Sequence, residues 1–255
     1  MIYDLQKASI LKRIAAGIFD FILTAIIAVG VMWLLSAIFN YDGMSERVNA
    51  HYDYYSAEYQ IDFREINEDD YNSFTDDEKE YYREIYNKLA TDEKFLKDYN
   101  LMINFTLVMV SMGLLLGVLI IEFVIPLILK DGQTIGKKCF SICLMQQNGV
   151  KVKTFSLLVR SLLGKFTIET MIPCYILIMI FFGSANLFHI FVLIGLYLIQ
   201  LVLIITNRYN NLIHDSISYM VVVDKESQMI FESEDALIKY KEELASKEEV
   251  KKRTF

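Results

Sequence analysis

Three carboxylates interrupt long apolar stretches of this sequence: Asp20, Glu122 and Glu169. A charge deep in a membrane costs about 3 kcal/mol on insertion scales, so such residues are usually paired or bind an ion or a proton. With a rise of about 1.5 Å per helical residue, Asp20 lies about 7 Å inside its apolar run and Glu122 about 10 Å inside its own. Aspartate is too short to reach water from that depth. We therefore predict that these three residues bind an ion or a proton.

The two prolines of the chain, Pro126 and Pro173, each follow one of these glutamates by four residues. Proline cannot donate a hydrogen bond to the carbonyl four residues before it. Glu122 and Glu169 are therefore each predicted to carry a free backbone carbonyl, and kinked helices with free carbonyls coordinate cations in many transporters. The alternative is that both prolines are plain kinks beside glutamates at the membrane interface.

Four further charged residues are predicted to form a charged cluster or gate: Arg13, Arg160, Arg208 and Asp215. Arg13 and Asp20 share a helix, but seven residues separate them and side chains lean towards the helix N-terminus, so a direct pair is disfavoured. A partner from another helix, Arg160 or Arg208, is expected instead. Arg13, Arg208 and Asp215 are predicted to form a charged gate or clamp at one membrane boundary. The alternative is a buried Arg–Asp cluster that fixes helix packing.

Four apolar runs must position these residues in a chain of 255 residues, of which 54% are hydrophobic. The runs cover positions 15–39, 101–129, 166–182 and 187–206. A bilayer core about 30 Å thick requires about 20 helical residues, which the third run only just supplies. The first run follows basic residues but is too long for a signal peptide and lacks a small-residue cleavage site. It is therefore predicted to be retained.

Lysine and arginine determine the expected orientation, because they favour the cytoplasmic side of a membrane. The segment between the second and third runs is strongly basic, whereas that between the first and second is strongly acidic. Both termini are therefore predicted to be cytoplasmic, in a cell-membrane protein with four crossings. The predicted segments are 1–39 with the first helix, 40–100 as an extracytoplasmic insert, 101–129 as the second helix, 130–165 as a cytoplasmic hairpin and interfacial helix, 166–206 with the third and fourth helices, and 207–255 as a cytoplasmic tail.

The extracytoplasmic insert is acidic and rich in tyrosine. Thr75 and Glu78 have the spacing of a capping box, and Tyr82, Tyr86 and Leu89 then fall on one helical face. A helix leading to the second crossing is therefore predicted. A calcium-binding loop is excluded, because its central glycine and alternating ligands are missing. The insert is predicted either as a solvated cap packed by its own aromatic residues or as a surface that binds a protein partner or gathers cations.

The segment between the second and third runs alternates apolar and polar residues on both sides of Asn148-Gly149, which is the pattern of a β-hairpin. The run YMVVVD, at 219–224, predicts a third strand of the same small sheet. Residues 154–166 have the pattern of an amphipathic helix at the membrane interface, with Arg160 and Lys165 towards the lipid headgroups. The expected fold class is an all-α membrane protein with a small cytoplasmic hairpin or sheet and an extracytoplasmic acidic helical loop.

Motifs for enzymatic chemistry are missing. DGQTIGKK, at 131–138, resembles a phosphate-binding loop, but its glycines are four residues apart and a lysine stands where serine or threonine binds magnesium. The sequence contains no GxSxG motif, and His214-Asp215 lacks the further histidines of a metal hydrolase. The three cysteines have neither disulfide nor zinc spacing. We therefore expect no enzyme activity, no cofactor, no metal site and no nucleic-acid partner.

The stretches KRIAAGIFDF, at 12–21, and NRYNNLIHDSISYMVVVD, at 207–224, resemble the RDD family of bacterial membrane proteins, named for one arginine and two aspartates. The matching residues are Arg13, Asp20 and Asp215. The segment 131–163 also resembles the family, with Gly132, Gly136, Lys137, Gly149 and Arg160 in place. The resemblance implies an integral membrane protein with a transport role, and Na⁺/H⁺ antiport for some members. The long acidic insert departs from the usual short connection.

Two functions follow from these patterns. The first is a small cation- or proton-coupled transporter or transporter subunit, in which Asp20 binds Na⁺ or H⁺ with help from Glu122. Four helices are few for an alternating-access carrier, so a homo-oligomer is expected. The second is a membrane protein without transport activity that binds or stabilises a partner through its insert. A continuous polar path favours the first function, and a polar layer confined to the inner third of the membrane favours the second.

Overall fold

The structure, a computed structural model, describes residues 3–129, 131–181 and 183–253, and their side chains except at positions 248 and 250–253. The predicted end of the third apolar run, position 182, lies outside the described residues, as do positions 1, 2, 130, 254 and 255 of the predicted segments. The elements in chain order are α1 (Ile10–Ile38), α2 (Tyr41–Tyr59), α3 (Glu68–Ser73), α4 (Asp76–Thr91), α5 (Glu93–Leu129), α6 (Ile135–Cys139), β1 (Ile142–Gln146), α7 (Thr154–Phe181), α8 (Leu187–Thr206), α9 (Ile213–Ile217), β2 (Met220–Asp224) and α10 (Glu234–Arg253).

Among the described residues, four helices are long and apolar enough to cross a membrane: α1, α5, α7 and α8. They contain the four apolar runs except for Phe39 and the undescribed position 182, so the prediction of four such helices is confirmed. α8 has the predicted bounds. α1 and α5 begin earlier than their apolar runs, at Ile10 and Glu93, because segments that mix charged and apolar residues extend each helix beyond its continuous apolar part.

The third of these helices differs from its prediction. Residues 154–166 form no separate interfacial helix but the first half of α7, which is continuous from Thr154 to Phe181. The middle of α7, Arg160–Met171, is a π-helix, in which each N–H donates to the carbonyl five residues back. The Ile172 N–H accordingly donates to the Thr167 carbonyl. The amphipathic pattern arises because one face of this half is buried against protein.

Both prolines follow a π-helical turn by two residues. α5 contains such a turn at Ile120–Val124, just before Pro126, and the π-helical part of α7 ends just before Pro173. Proline cannot donate the usual hydrogen bond to the preceding turn. The wider π-helical turn accommodates the proline, and each helix continues beyond it without interruption.

β1 and β2 form a two-stranded antiparallel sheet, in register from Ile142–Asp224 to Gln146–Met220. One face of the sheet packs against Ala16 of α1 and Leu157 of α7. The other face is covered by side chains from the N-terminal segment and from the tail. This small sheet therefore has an apolar core on both sides.

The predicted hairpin is only partly present. A turn exists at Asn148-Gly149, where Gly149 has a φ of +90° that favours glycine. The chain after the turn forms no strand: Val150 makes an isolated parallel bridge with Phe231. Beside β1, the Leu144 N–H donates to the Asp131 carbonyl. The strand predicted at 219–224 is present as β2 and pairs with β1 directly. The second strand of the hairpin is missing from the described residues, because the chain after the turn exchanges hydrogen bonds with Phe231 instead. The expected sheet of three strands therefore has two strands in the described part of the chain.

The described chain divides into two compact units. The first contains the residues up to Ala28 and those from Leu114 onward, and the second runs from Val29 to Gly113. The first unit contains the sheet and every buried charged side chain among the described residues.

The second unit contains the acidic insert. Its core consists of Val48, Leu89 and Phe95, with tyrosine rings packed around them. α4 begins directly after Thr75, whose hydroxyl accepts the Glu78 N–H while the Glu78 carboxylate accepts the Thr75 N–H at 2.7 Å. α2 and α3 were not predicted from the sequence, because their apolar residues are too sparse to give a helical period.

Candidate functional site

Asp20 of α1 is buried, with 3% of its surface exposed. Its carboxylate accepts hydrogen bonds from the Thr134 hydroxyl and from the Gly136 backbone N–H, the latter at 2.8 Å. The Lys137 ammonium lies 3.9 Å from the same carboxylate. The partners of Asp20 are therefore a lysine and the first turn of α6, and not the arginine that the sequence led us to expect.

The short helix α6 reaches Asp20 because position 136 is glycine. A Cβ at Gly136 would lie 2.9 Å from the Asp20 carboxylate and closer still to the Ala16 carbonyl oxygen. Thr134 is the N-cap of α6, and its hydroxyl accepts the Lys137 N–H at 3.1 Å. The segment DGQTIGKK, which fails as a phosphate-binding loop, thus binds a carboxylate of its own chain.

Glu122 lies in the π-helical turn of α5 and is buried. Its Oε2 accepts a hydrogen bond from Arg160 Nη1 at 2.6 Å and lies 3.4 Å from Lys137 Nζ. Lys165 Nζ is 3.7 Å from Oε1. Three basic groups therefore surround this one carboxylate.

The backbone carbonyl of Glu122 is not free. The Ser161 hydroxyl of α7 donates a hydrogen bond to it at 2.7 Å. The expectation that Pro126 releases this carbonyl as a cation ligand is therefore corrected, because the neighbouring helix supplies a donor that replaces the missing N–H.

Arg160 is 1% exposed, so its predicted position among the lipid headgroups is wrong. Its Nε donates to Asp215 Oδ1 at 2.9 Å, while its Nη1 donates to Glu122. A guanidinium group can serve two carboxylates at once, because its donors project in a fixed planar fork. Arg160 thus joins α7 to both α5 and α9.

Asp215 of α9 is completely buried. In addition to Arg160, it contacts Arg13 Nη2 at 3.1 Å and His214 Nε2 at 3.2 Å. Burial raises the pKa of Asp215, but its interactions with His214, Arg160 and Arg13 outweigh burial and hold that pKa well below its usual range. The structure thus brings together Arg13 and Asp215, two members of the predicted gate.

Arg208, the third predicted member of that gate, lies apart from the other two. Its side chain is exposed, and its backbone carbonyl accepts a hydrogen bond from Lys7 Nζ at 3.2 Å. Asn210, with a φ of 53°, turns the chain between Arg208 and Asp215. The two residues therefore do not share a helical face.

Glu169 of α7 contacts two further charged or titratable side chains, those of His214 and Lys165. Its carboxylate lies 2.7 Å from His214 Nδ1 and 3.9 Å from Lys165 Nζ. His214 approaches α7 closely because position 164 is glycine, where a Cβ would lie 2.5 Å from the His214 Cβ. The sequence analysis assigned no role at this site to His214, Lys137 or Lys165. The two lysines lie in the basic segment 130–165, where they resemble the other positive charges that indicate only orientation.

These contacts form one charged network. Its members are Arg13, Asp20, Glu122, Lys137, Arg160, Lys165, Glu169, His214 and Asp215. Four carboxylates face four lysine or arginine side chains, so the network is neutral when His214 is neutral. A cavity of about 80 Å³ is lined by all of these residues except Glu169, and it has room for a few water molecules.

Two observations bear on what the charged network can do. Four members lie on π-helical turns, which are rare and occur frequently at functional sites: Glu122, Arg160, Lys165 and Glu169. Lys137 lies between two carboxylates, and its burial lowers the pKa of its ammonium although Glu122 raises it. Carboxylate and hydroxyl oxygens are ligands of hard cations. The arrangement therefore places one lysine ammonium among oxygen atoms of the kind that also bind hard cations.

Within the part of the chain that the structure describes, no three His, Cys, Asp or Glu side chains gather in a group that could hold a metal ion. The RDD family model matches residues 7–219 of this chain, a span that contains every member of the charged network. No curated protein and no solved structure matches the chain.

Proposed function

The chain belongs to the RDD family, and from that premise we propose that it is a cation- or proton-coupled transporter of the Na⁺/H⁺ antiport type, or a subunit of one, in the cell membrane. The position of Lys137 supports this function best. Its buried ammonium lies 3.9 Å from Asp20 and 3.4 Å from Glu122. A positive charge thus sits between two carboxylates carried by membrane-spanning helices.

A proton on Lys137 and a cation bound by Asp20 and Glu122 are alternative sources of the same positive charge. When Lys137 is protonated, its ammonium balances Asp20 and Glu122. When Lys137 releases its proton, one positive charge is lost, and a sodium ion bound by the two carboxylates restores the balance. Because burial lowers the pKa of Lys137, the release occurs at a lower pH than for a lysine in water. One proton is thereby exchanged for one cation.

The two arginines of the charged network hold its carboxylates in position. Arg160 bonds Glu122 and Asp215, and Arg13 bonds Asp215. Arginine stays protonated at physiological pH, so these contacts hold the carboxylates in place without exchanging protons. His214 contacts Glu169 and Asp215, and histidine is a common proton shuttle.

The proposal includes a homo-oligomer with both termini in the cytoplasm. The orientation rests on the basic character of the segment 130–165. Four helices are few for a carrier built from repeated halves, and α8 buries none of its residues within the described chain. Phe188, Phe191 and Tyr197 of α8 are between 60% and 69% exposed. This surface is available to lipid and to a second copy of the chain.

Ion flux in proteoliposomes tests the function. Liposomes with an acidic interior and the purified protein should take up radioactive sodium, and Asp20→Asn should abolish that uptake. Asp69→Asn, the same change at an exposed residue of the insert, is the matched control and should leave uptake unchanged. Gel filtration checks that each variant is folded. Wild-type protein that moves no sodium under any proton gradient would contradict the function.

A second function, binding of a protein partner through the insert, is favoured by one specific observation. The second unit is compact by itself and has its own aromatic core, while Tyr54, Tyr81 and Tyr86 remain exposed. Exposed tyrosines are enriched at protein interfaces. Replacing residues 42–98 with a short Gly/Ser linker separates the two functions. Retained sodium uptake assigns transport to the first unit, and loss of all folded protein shows that the insert belongs to the core.

A further inference from the structure

An apolar groove of about 360 Å³ adjoins the charged network. This volume lies in the range of about 300–1,000 Å³ that is typical of ligand sites. The groove lies between the first half of α1, the end of α8 at Ile204 and the following loop at Leu212, with Lys165 of α7 at one side. All of these residues belong to the first unit.

One wall of the groove is a single face of α1. Ile10, Ile14, Ile18 and Phe21 follow one another at spacings of four, four and three residues and are each about half exposed or more. From Ile10 to Phe21 this face is about 16 Å long. Gly17 also lines the groove, and a Cβ added there would meet no atom within 4 Å. The groove is therefore long and apolar, and it has open space beside Gly17.

Two cations lie where the groove meets the charged network. Arg13 and Lys165 line both the groove and the polar cavity. The ion pairs of Lys165, at 3.7 Å and 3.9 Å, are too long for hydrogen bonds, and its side chain is 26% exposed. Among the described residues, the Lys165 ammonium therefore has donors to offer an incoming anion.

We propose that this groove binds an anionic phospholipid, with an acyl chain along α1 and the phosphate against Lys165 and Arg13. The occupant must be apolar over most of its length and negative at one end, which matches an acidic lipid. The groove also lies between helices that span the membrane, where lipid is the surrounding medium. Basic pockets between membrane-spanning helices bind anionic headgroups in this way.

Native mass spectrometry of the detergent-purified protein tests the proposal. Phosphatidylglycerol or phosphatidylcholine with identical acyl chains is added, and the lipid that stays bound is counted. Gly17→Phe fills the groove, and Gly30→Phe is its control, because a Cβ at Gly30 also meets no atom within 4 Å. Lys165→Gln removes the cation, and Lys153→Gln is its control at an exposed lysine.

Wild-type protein should retain one phosphatidylglycerol about tenfold more strongly than phosphatidylcholine, since a charge-assisted hydrogen bond contributes at least this much. Gly17→Phe should lose the bound lipid, and Lys165→Gln should lose the preference for the anionic headgroup. Both control variants should behave as wild type. Equal retention of the two lipids, retention by Gly17→Phe, or displacement of the lipid by inorganic phosphate alone would overturn the proposal. None of these readouts depends on transport.

Discussion

Arg160 Nη1 donates a hydrogen bond to Glu122 Oε2 at 2.6 Å, and both side chains are buried. The pair connects α7 to α5, two of the helices that are long and apolar enough to cross a membrane. When one partner is removed, the other charge stays buried and loses its shortest ion pair. Breaking such a pair from one side costs about 3–5 kcal/mol, far more than the loss of an exposed ion pair.

We therefore expect Arg160→Met to lower the free energy of unfolding by about 3–5 kcal/mol. Lys153→Met is the control, since the exposed pair of Lys153 with Glu234 is 3.7 Å long and contributes at most about 1 kcal/mol. Unfolding by SDS in mixed micelles measures both. Equal, small losses would show that the charged network does not stabilise the fold.

Two glycine substitutions should have opposite effects on stability. Gly136→Ala places a methyl group against Asp20 and the Ala16 carbonyl, and should destabilise by about 1–3 kcal/mol. Gly17→Ala meets open space within α1, and should stabilise by about 0.5–1 kcal/mol through its helix preference. Thermal unfolding in detergent compares them. A neutral Gly136→Ala would mean that α6 does not pack against α1 as described.

Sodium binding should strengthen as the pH rises. Burial lowers the pKa of Lys137, and below that pKa a proton must leave before sodium can bind. The apparent sodium affinity should therefore fall about tenfold for each pH unit below the pKa and level off above it. Thermal stabilisation by sodium, against choline as the control cation, measures this slope between pH 6 and 9. A pH-independent affinity would contradict the exchange.

Native cysteines can report the topology. Cys139 is exposed, and should react with an impermeant thiol reagent only after the membrane is opened. Cys143 is buried, and its burial raises the pKa of the thiol to about 12, so it should stay unmodified in both conditions. A cysteine placed at Ser73, an exposed residue of the insert, should react from outside. Labelling of Cys139 in intact cells would reverse the predicted orientation.

Local patterns predicted the existence of the four long apolar helices, because each apolar run carries its own signal, but they missed α2, α3 and the start of α7. The bounds of α8 agree with the sequence to the residue, and the capping spacing at Thr75 marks the start of α4. The burial depth of Asp20 also indicated that it needs a partner. Such features depend on residues that are close together in the chain.

The identities of the partners could not be predicted in the same way. Lys137 meets Asp20 and Glu122 only because α6 folds back against α1, an approach that depends on the missing Cβ of Gly136. Ser161 reaches the Glu122 carbonyl because α7 packs beside α5. These contacts join residues that are 15 to 117 positions apart, which no local pattern encodes.

The exchange of a proton for a cation at Lys137 is tested most directly by counting the protons released when sodium binds. Calorimetric titration of the purified protein with sodium, in buffers of different ionisation enthalpy, gives that number. We expect about one proton per sodium below the pKa of Lys137. Lys137→Met, which has no proton to lose at this position, should bind sodium without releasing any. Sodium binding by the wild-type protein without proton release, or proton release that persists in Lys137→Met, would contradict the exchange.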